Sequence, residues 1–440
     1  MFRLPLSIAL FVVAQSSTAI NLVQDVALGN GHVCAILTDN SLKCWGNNSS
    51  GQLGYGDTRS RGNASADMGD NLLRVNLGNG RKVKAVALGN GHTCALLDNG
   101  KLKCWGSNAQ NQLGYGDTAD RGGTAATSGA SLNTVDLGAG RTALQVSTGL
   151  YHTCVLLDNK SVKCWGYNGL GQLGLGRIDS TYGRTVNEIG DKLPAVNLGA
   201  GKVPVKITAG GYTTCVQFED KTTKCFGINT DGRLGIGEAT NSRGTAATEM
   251  GDRLPSIMVG QSRQIDQIFP GYFGTCAKLS DGMFTCWGSN LNGEMCSGNT
   301  LPRGALSDDM GDNLRPIQAA NALQINDLSC STGHCCALFS NNGAKCWGNG
   351  NNGRLGTINS SNQCDDPARS NDGLPFVNLG YLLKPTRIFS GSTGSCVLFS
   401  NGRLKCWGSN NSGQTGIGSS DAVVPSTTQM MGDDLPFINL

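Results

Sequence analysis

Short apolar runs separated by glycine, asparagine and aspartate follow one another along the whole chain, and residues 89–117 show this pattern most completely. There, two apolar runs at residues 93–97 and 101–105 flank Asp98-Asn99-Gly100. A three-residue loop that ends in glycine is typical of a β-hairpin with a G1 bulge, because glycine adopts the left-handed conformation at little cost. The pattern therefore predicts an antiparallel hairpin.

The register of this hairpin brings two cysteines together. Counting outward from the loop pairs Leu97 with Lys101, Leu96 with Leu102, Ala95 with Lys103 and Cys94 with Cys104. Successive pairs alternate between hydrogen-bonded and non-hydrogen-bonded, which puts the cysteines on a non-bonded pair with Cα atoms about 4.5 Å apart. A disulfide accepts that separation, so we expect a sulfur bridge across the hairpin.

The same hairpin occurs seven times. Its cysteine pairs are Cys34/Cys44, Cys94/Cys104, Cys154/Cys164, Cys215/Cys225, Cys276/Cys286, Cys336/Cys346 and Cys396/Cys406. The two members of each pair are ten residues apart, and successive first members are 60 or 61 residues apart. A fixed period of this length indicates a repeat architecture rather than several unrelated domains.

Each period contains two further apolar runs, so four short strands are expected per repeat. One run, which we call the VNL segment, lies at residues 73–77, 195–198 and 376–379 in three of the repeats, and the other precedes the hairpin, as at residues 82–88. Four-stranded antiparallel units repeated around an axis predict an all-β fold. We expect a seven-bladed β-propeller formed by residues 20–440 as a single domain.

The two chain ends predict how this ring closes. The first repeat starts without a VNL segment, whereas the chain finishes with one at residues 436–440. Pairing of residues 437–440 with residues 25–28 would complete the first blade and remove an exposed sheet edge. We therefore expect the C-terminal strand to pair with the N-terminal blade.

The N-terminus indicates the secretory route. Residues 1–19 contain Arg3, an apolar stretch at residues 4–14, and the small residues Ser17 and Ala19 before an expected cleavage site, which together predict a signal peptide. A transmembrane anchor is the alternative, but it needs about 20 apolar residues and this stretch is shorter. The 18 cysteines of the chain favour export, because disulfides persist in oxidising compartments. We predict a secreted protein.

The net charge of the chain limits the classes of partner that we expect. A net charge of +3 on 440 residues gives no reason to expect a nucleic acid or an anionic membrane as partner. No segment after the leader has the length and hydropathy of a membrane span. We expect the protein to be a monomer. Glycosylation in a eukaryotic host would fit the sequons at Asn47, Asn48, Asn63, Asn159, Asn359 and Asn410.

Six of the seven hairpins end in Cys-Trp-Gly, and the fourth has Phe226 in place of the tryptophan. The tryptophans are Trp45, Trp105, Trp165, Trp287, Trp347 and Trp407. Aromatic residues at one repeat position either pack between blades or form a ring around a ligand, and we favour packing.

The combination of G-x-x-H-x-C/S-a-L, D-x-G, K-x-W-G-x-N and G-Q-L-G-x-G resembles the repeat of the regulator of chromosome condensation family. G-Q-L-G stands at residues 51–54 and 171–174, with near matches at 111–114, 232–235 and 353–356. The fifth repeat departs furthest, with Gly293-Glu294-Met295-Cys296. The resemblance covers residues 23–440 and implies a seven-bladed propeller. It also implies guanine-nucleotide exchange on a small GTPase as an alternative function, although a secretory leader and stapled blades do not suit a nuclear protein.

Histidines and carboxylates are the candidates for chemistry. Each of the four histidines, His32, His92, His152 and His334, stands two residues before the first hairpin cysteine. Recurrence once per repeat favours a structural, hydrogen-bonding role, and it leaves no spare histidine to activate a nucleophile. An enzyme that uses carboxylates at the propeller rim is the weakest alternative. We expect no enzyme activity, no metal and no cofactor.

The loops after six of the seven hairpins carry an arginine, and five of the seven carry a Met-Gly-Asp turn or a close variant. The arginines are Arg61, Arg121, Arg184, Arg243, Arg303 and Arg369, and the aspartates are Asp70, Asp191, Asp252, Asp312 and Asp433. In one interpretation, each arginine stabilises its own loop by pairing with this aspartate or with a backbone carbonyl. In the other, the arginines form a charged rim that binds a partner. One carboxylate per turn supplies too few ligands for calcium.

Four cysteines lie outside the seven pairs, namely Cys296, Cys330, Cys335 and Cys364. Four cysteines allow three connectivities, and we choose Cys296 with Cys330 and Cys335 with Cys364 over a zinc site, whose ligand spacing differs. The sequence as a whole predicts a secreted, non-catalytic binding or scaffold protein that recognises an unidentified protein or extracellular ligand.

Overall fold

The computed structural model describes residues 21–440 except residues 79, 241, 318, 321, 359, 382, 426, 428 and 429. Within this part of the chain the fold is all-β and consists of seven antiparallel sheets of three or four strands, numbered here 1 to 7 in chain order. The leader expected at residues 1–19 lies outside the described residues. In the described part, no helix has the length and apolar character needed to cross a bilayer.

Every sheet begins with the same three strands, here called the inner, middle and Trp strands. The inner strands are Val23–Leu28, Val83–Leu88, Ala143–Thr148, Pro204–Gly210, Ile265–Pro270, Ile325–Cys330 and Pro385–Ser390. The middle strands are His32–Leu37, His92–Leu97, His152–Leu157, Thr213–Phe218, Gly274–Leu279, His334–Phe339 and Gly394–Phe399. The Trp strands are Leu42–Gly46, Leu102–Gly106, Val162–Tyr167, Thr223–Ile228, Phe284–Gly288, Ala344–Gly348 and Leu404–Ser409.

The loops after the Trp strands add short elements. Sheets 3, 4 and 7 gain a two-residue edge strand at Thr181–Tyr182, Ser242–Arg243 and Val423–Val424. Single-turn 3-10 helices lie at Ser65–Asp67, Gly69–Asn71, Ala125–Thr127, Gly129–Ser131, Val186–Glu188, Gly190–Lys192, Thr230–Gly232, Ala247–Glu249, Gly251–Arg253, Ser307–Asp309, Gly311–Asn313, Asn351–Gly353, Pro367–Arg369, Asn371–Gly373 and Gly432–Asp434.

The hairpin register follows the sequence pattern. Cys94 faces Cys104 and Leu96 faces Leu102, while Gly100 takes φ +74° in the connecting loop. The backbone N–H of Leu97 donates to the carbonyl of Lys101 at 2.9 Å, so the alternation leaves the cysteines on a non-bonded pair.

All seven predicted hairpin disulfides are present, with Cα separations of 4.0 to 4.1 Å. They join Cys34 to Cys44, Cys94 to Cys104, Cys154 to Cys164, Cys215 to Cys225, Cys276 to Cys286, Cys336 to Cys346 and Cys396 to Cys406. Each bond crosses from a middle strand to the Trp strand of the same sheet, so every sheet carries its own covalent link.

The VNL segments lie elsewhere than the sequence analysis expected. The N–H of Val75 donates to the carbonyl of Leu42 at 2.8 Å, and the N–H of Ile438 donates to Leu404 at 2.8 Å. Each VNL segment therefore folds back beside the Trp strand of the hairpin that it follows. The first repeat thus has its own VNL segment, at residues 73–77. The expected pairing of residues 437–440 with residues 25–28 is wrong.

The first and last sheets nevertheless contact each other. Inner strands touch from sheet to sheet along the chain, and that of sheet 7 also touches that of sheet 1. The N–H of Val23 donates to the carbonyl of Gly402 at 2.8 Å, and Ile438 and Leu398 pack in one apolar cluster with Val26. One cavity of about 150 Å³ is lined by the C-terminal ends of the inner strands of sheets 1 to 6 and by Ser392, which lies in the loop after the inner strand of sheet 7.

Candidate functional site

The tryptophans connect neighbouring sheets, as the packing interpretation predicts. All six are at most 1% exposed, and each indole Nε1–H donates to a backbone carbonyl of the preceding sheet. The pairs are Trp45 to Gln414 at 3.1 Å, Trp105 to Gln52 at 2.9 Å, Trp165 to Gln112 at 3.0 Å, Trp287 to Arg233 at 3.1 Å, Trp347 to Glu294 at 2.9 Å and Trp407 to Arg354 at 3.1 Å. The first of these bonds joins sheet 1 to sheet 7. Phe226 has no such donor.

The hairpin disulfides also pack between sheets, which the sequence analysis did not expect. Three of their cysteines, all at most 2% exposed, share an apolar cluster with an inner-strand residue of the next sheet. The pairs are Cys44 with Val83, Cys225 with Ile268 and Cys346 with Ile388. The interpretation of each bridge as a staple within its own hairpin was therefore incomplete. These sulfurs belong to the core between sheets and are shielded from a ligand in solution.

The histidines belong to the same junctions. His32 Nε2 lies 2.9 Å from Thr93 Oγ1, and that hydroxyl donates to the carbonyl of Gln52 at 2.9 Å. Because the hydroxyl proton is already used, the histidine must donate from Nε2 and keep Nδ1 as a bare acceptor. His92, His152 and His334 make the matching contacts with Thr153, Thr214 and Ser395. The predicted hydrogen-bonding role is confirmed.

Burial sets the protonation state of these rings. All four histidines are at most 1% exposed, and desolvation lowers the pKa of each to about 3. The Nδ1 atoms have no hydrogen-bond partner among the described residues, so a proton there would be a buried, unpaired charge. The rings are therefore neutral at physiological pH.

Six buried lysines hold the loops in place, a role that the sequence analysis missed. Lys163 Nζ donates to the carbonyls of Leu137 at 3.3 Å and Gly190 at 2.7 Å. Lys43, Lys103, Lys224, Lys345 and Lys405 make the matching bonds to backbone carbonyls. Burial lowers the pKa of Lys163. The repeated K-x-W spacing was the available signal.

The loop arginines mostly pair within their own loops. Arg121 donates twice to Asp117, at 2.9 and 2.6 Å, and its guanidinium lies 4.1 Å from the centre of the Tyr115 ring. The hydrogen bonds from Arg121 lower the pKa of Asp117. Arg61 pairs with Asp57 in the same way. The carboxylate partner is thus the aspartate four residues earlier, so the expected pairing with the Met-Gly-Asp carboxylate is wrong. The alternative bond to a backbone carbonyl is confirmed, from Arg121 to Ala119 and from Arg61 to Arg59, each at 2.9 Å.

The other four loop arginines do not repeat the full geometry, although Arg369 also pairs with a carboxylate four residues earlier. Arg243 pairs with Glu238, and Arg369 lies 3.2 Å from Asp365 and 2.6 Å from Asp366. Arg303 is half-buried, whereas Arg184 is exposed. The structural counterpart of Arg61 in sheet 3 is Tyr182, since Tyr182 and not Arg184 pairs with the Trp strand. The six arginines therefore do not form one equivalent ring.

The aspartates of the Met-Gly-Asp turns serve a different contact. Asp191 accepts the backbone N–H of Ala139 at 3.1 Å, and Asp252 accepts that of Ala200 at 2.9 Å. Asp312 lies 3.5 Å from Arg263. In these sheets the carboxylate caps or neutralises a turn of the preceding repeat, which links one sheet to the next.

The four extra cysteines form disulfides other than the chosen ones. The structure pairs Cys296 with Cys364 and Cys330 with Cys335, so our connectivity was wrong. Cys330 stands directly opposite Cys335 in the sheet register. Cys296 ends the G-Q-L-G-like loop of sheet 5, and such loops approach the arginine loop of the next sheet, as Gly51 approaches Gly122.

The described residues contain no free cysteine. Nine disulfides in one chain indicate an oxidising extracellular or secretory environment. Of the predicted sequons, Asn48 and Asn410 are at most 1% exposed and their side chains bond to the protein itself, whereas Asn63 and Asn159 are exposed. Asn359 lies outside the described residues.

An aromatic patch borders the central cavity, and the sequence analysis did not single it out. It consists of Tyr151, Tyr167, Tyr212, Tyr272 and Phe273, all half-buried. Ring centres are 6.1 Å apart for Tyr151 and Tyr212, 5.7 Å for Tyr167 and Tyr212, 5.7 Å for Tyr212 and Tyr272, and 4.6 Å for Tyr272 and Phe273. Burial and the neighbouring tyrosines raise the pKa of Tyr212 to about 12.

Three of the five rings in the patch come from one position in the loop between inner and middle strands. Sheets 1, 2 and 6 have Gly31, Gly91 and Gly333 directly before the middle strand, whereas sheets 3 to 5 have Tyr151, Tyr212 and Phe273. This departure, recurring in three successive repeats, was the signal in the sequence.

Polar groups fix the patch in place. Arg233 donates to the carbonyl of Tyr272 at 2.8 Å and lies 6.0 Å from the Phe273 ring centre. The side-chain amide of Asn90 donates to the Tyr151 hydroxyl at 2.5 Å. The result is a pre-ordered aromatic surface with a guanidinium at its edge.

Comparison with known proteins agrees with the repeat geometry. A family model described as the regulator of chromosome condensation (RCC1) repeat matches residues 23–52, 83–112, 144–172 and 386–414, and a second model of the same description matches residues 39–96. The chain contains RCC1 repeats. It is 26% identical to the ultraviolet-B receptor UVR8 of Arabidopsis thaliana over 75% of this chain and 78% of that protein.

Two further similarities bear on fold and extent. The RCC1-repeat chain is 27% identical to the serine/threonine-protein kinase Nek9 of Xenopus laevis over 76% of this chain but spans only 33% of that relative. The yeast RCC1 protein Prp20, solved in complex with Kap60, superposes with a TM-score of 0.62 at 18% identity, covering 85% of this chain and 79% of that one. This structural likeness supports the fold alone.

Proposed function

We propose that this RCC1-repeat protein is a secreted, non-catalytic binding propeller. In this proposal residues 1–19 direct export, and the seven sheets are the blades of one closed ring. The contacts between sheets 1 and 7, including the Trp45 bond to Gln414 at 3.1 Å, support closure by packing rather than by strand exchange. The disulfides support residence in an oxidising compartment, and exposed Asn63 and Asn159 are the sequons that we propose for glycosylation.

The absence of catalysis is part of the proposal. The four histidines are buried in the junctions between sheets with pKa values of about 3, so they are poorly placed to act as general bases for a solvent-borne substrate. The arginines near Tyr55 and Tyr115 are already paired with carboxylates. Both features support a structural use for the groups that chemistry would need.

The aromatic patch is the observation that carries the binding proposal. Tyrosine and arginine are enriched among the residues that dominate protein interfaces. Here the ring contacts already hold the tyrosines in place, which reduces the entropy lost when a partner binds. Tyr272 of the patch also lines the shared cavity, and the five rings come from sheets 3 to 5, so a partner that binds the patch would contact several sheets at once.

The family comparison supports a protein as partner. The yeast RCC1 structure was solved bound to Kap60, so a propeller of similar fold is known in complex with another protein. We propose that this chain uses its cavity face for such contacts, whereas the rim arginines stabilise their loops. We expect the free protein to be a monomer.

The test is affinity capture with the folded, oxidised protein as bait. Secreted wild type is compared with Tyr212→Ala/Tyr272→Ala and with a matched rim control, Arg121→Ala/Arg184→Ala. We expect a ligand that wild type and the rim control retain and that the patch variant loses at unchanged melting temperature. Ligands retained by the patch variant but lost by the rim control would overturn the assignment of the site.

A further inference from the structure

At the junction between sheets 5 and 6, cysteine sulfurs make the contact that a histidine makes at four other junctions. Gly274 replaces the histidine of sheet 5, and Cys335 replaces the threonine or serine that accepts its bond in sheet 6. The disulfides Cys276–Cys286 and Cys330–Cys335 consequently face each other across the two sheets.

The four sulfur atoms are in contact range. Cys276 Sγ lies 3.3 Å from Cys330 Sγ and 3.9 Å from Cys335 Sγ, and all four sulfurs lie within 4.8 Å of one another. In the matching place at other junctions, Cys154 Sγ meets the Thr214 hydroxyl at 3.7 Å and Cys94 Sγ meets that of Thr153 at 3.9 Å. Only a sulfur at this place can take part in disulfide exchange.

One of the two disulfides is also accessible. Cys330 is half-buried and lines the central cavity, whereas Cys276, Cys286 and Cys335 are at most 5% exposed. A small thiol that enters the cavity can therefore reach the Cys330 sulfur first. The leaving sulfur, Cys335, would be released next to Cys276.

We propose that Cys330–Cys335 is a thiol-modification site that passes the exchange on to Cys276–Cys286. The thiolate of a small external thiol attacks Cys330 Sγ, forming a mixed disulfide there and releasing the Cys335 thiolate. The Cys335 thiolate then attacks Cys276 Sγ, forming a Cys276–Cys335 bond and releasing the Cys286 thiolate. Each step breaks one S–S bond and forms one, so no further oxidant or reductant is consumed. The product links sheets 5 and 6 covalently.

A free thiol placed at the junction tests the second step directly. In Cys286→Ser, Cys276 is left as a thiol beside the Cys330–Cys335 bond, and we expect the main species to carry a bond from Cys276 to Cys330 or Cys335 without added reagent. In the matched control Cys164→Ser, Cys154 faces Thr214 and should stay a free thiol. Acid quench, alkylation and non-reducing peptide mass spectrometry distinguish these species. An intact Cys330–Cys335 bond with free Cys276 would overturn the proposal.

The wild-type protein provides the second measurement, which does not depend on a variant that folds. Native protein is treated with limiting 2-mercaptoethanol, quenched and mapped. We expect the mixed disulfide at Cys330, the Cys276–Cys335 bond and an alkylated Cys286 to appear together, before any reaction at the other disulfides. Labelling of Cys330 and Cys335 with Cys276–Cys286 retained, or first reaction at another disulfide, would contradict the transfer.

Discussion

Sheets 1 to 3 and sheets 4 to 6 solve the same packing problem with different chemistry. In the first group, a histidine, a threonine and a glutamine carbonyl recur at each junction, and an indole N–H completes the set, as in Trp105 and Trp165. In the second group, Phe226 replaces a tryptophan, Gly274 replaces a histidine, and Arg233, Glu294 and Arg354 stand where the others have glutamine.

The difference teaches which parts of the repeat the fold requires. The carbonyl of the glutamine position still accepts an indole N–H when the side chain is Arg233, Glu294 or Arg354, so the backbone matters and the side chain is free to change. The irregular sheets carry most of the aromatic patch and both extra disulfides. Sheets 4 to 6 are therefore where we place the thiol chemistry and most of the binding surface.

The largest expected effect is acid destabilisation of the histidine junctions. Because the folded pKa values of about 3 lie below the ordinary histidine value of 6.5, stability is complete above pH 6.5 and is lost as the pH falls from there towards 3. Each histidine contributes a slope of about 1 kcal/mol per pH unit. Chemical denaturation across this range measures it.

A histidine substitution separates the acid destabilisation caused by the histidines from that caused by protonation of the carboxylates. His152→Gln keeps a donor for Thr214 but cannot take up the proton, so its stability should fall less steeply with decreasing pH than that of wild type. Hydrogen exchange should show sheets 1 to 3 opening before sheet 5. Equal slopes in both proteins would contradict the assignment of the buried neutral ring.

Removing one disulfide from each region tests whether the loss of unfolding free energy depends on the length of the loop that the disulfide closes. The Cys296–Cys364 bond spans 68 residues and Cys94–Cys104 spans ten, so loop entropy predicts losses of about 4 and about 3 kcal/mol respectively. Paired alanine variants, unfolded in denaturant under oxidising conditions, measure both. A larger loss for the short hairpin would show that native packing, rather than loop closure, decides the contribution.

The junction at Phe226 allows the missing indole hydrogen bond to be restored by substitution. Trp165→Phe removes the Nε1 bond to the Gln112 carbonyl and should cost about 1 kcal/mol. Phe226→Trp supplies the donor that sheet 4 lacks and should gain up to about 1 kcal/mol through the Gln172 carbonyl. Urea midpoints of the two variants should move in opposite directions, and a loss in both would mean that sheet 4 cannot accommodate the indole.

The smallest effect concerns the loop arginines. Arg121→Ala loses a bidentate pair and a ring contact and should cost about 1 kcal/mol, whereas exposed Arg184 should cost nothing measurable when replaced. Thermal melts of both variants test this. Loss of ligand binding by Arg121→Ala at unchanged stability would restore the rim interpretation.

Local patterns predicted the hairpins and the packing of the tryptophans between sheets, but contacts across long loops and the extra disulfides could not be predicted from the sequence. The ten-residue spacing fixed Cys94 opposite Cys104 because a short turn determines its own register. The partner of the VNL segment could not be chosen this way, since the N–H of Val75 reaches Leu42 across a long loop. Cys296 meets Cys364 only because loops of adjacent sheets pack together. The aromatic patch was visible as a recurring departure from glycine, which a search for conserved repeat residues overlooks.

The most direct test of the stapled-sheet account is the disulfide map of the protein purified from its native location. Non-reducing digestion and mass spectrometry should find the seven hairpin bonds together with Cys296–Cys364 and Cys330–Cys335. Free thiols at Cys94 and Cys104 would contradict both the stapled sheets and the oxidising compartment.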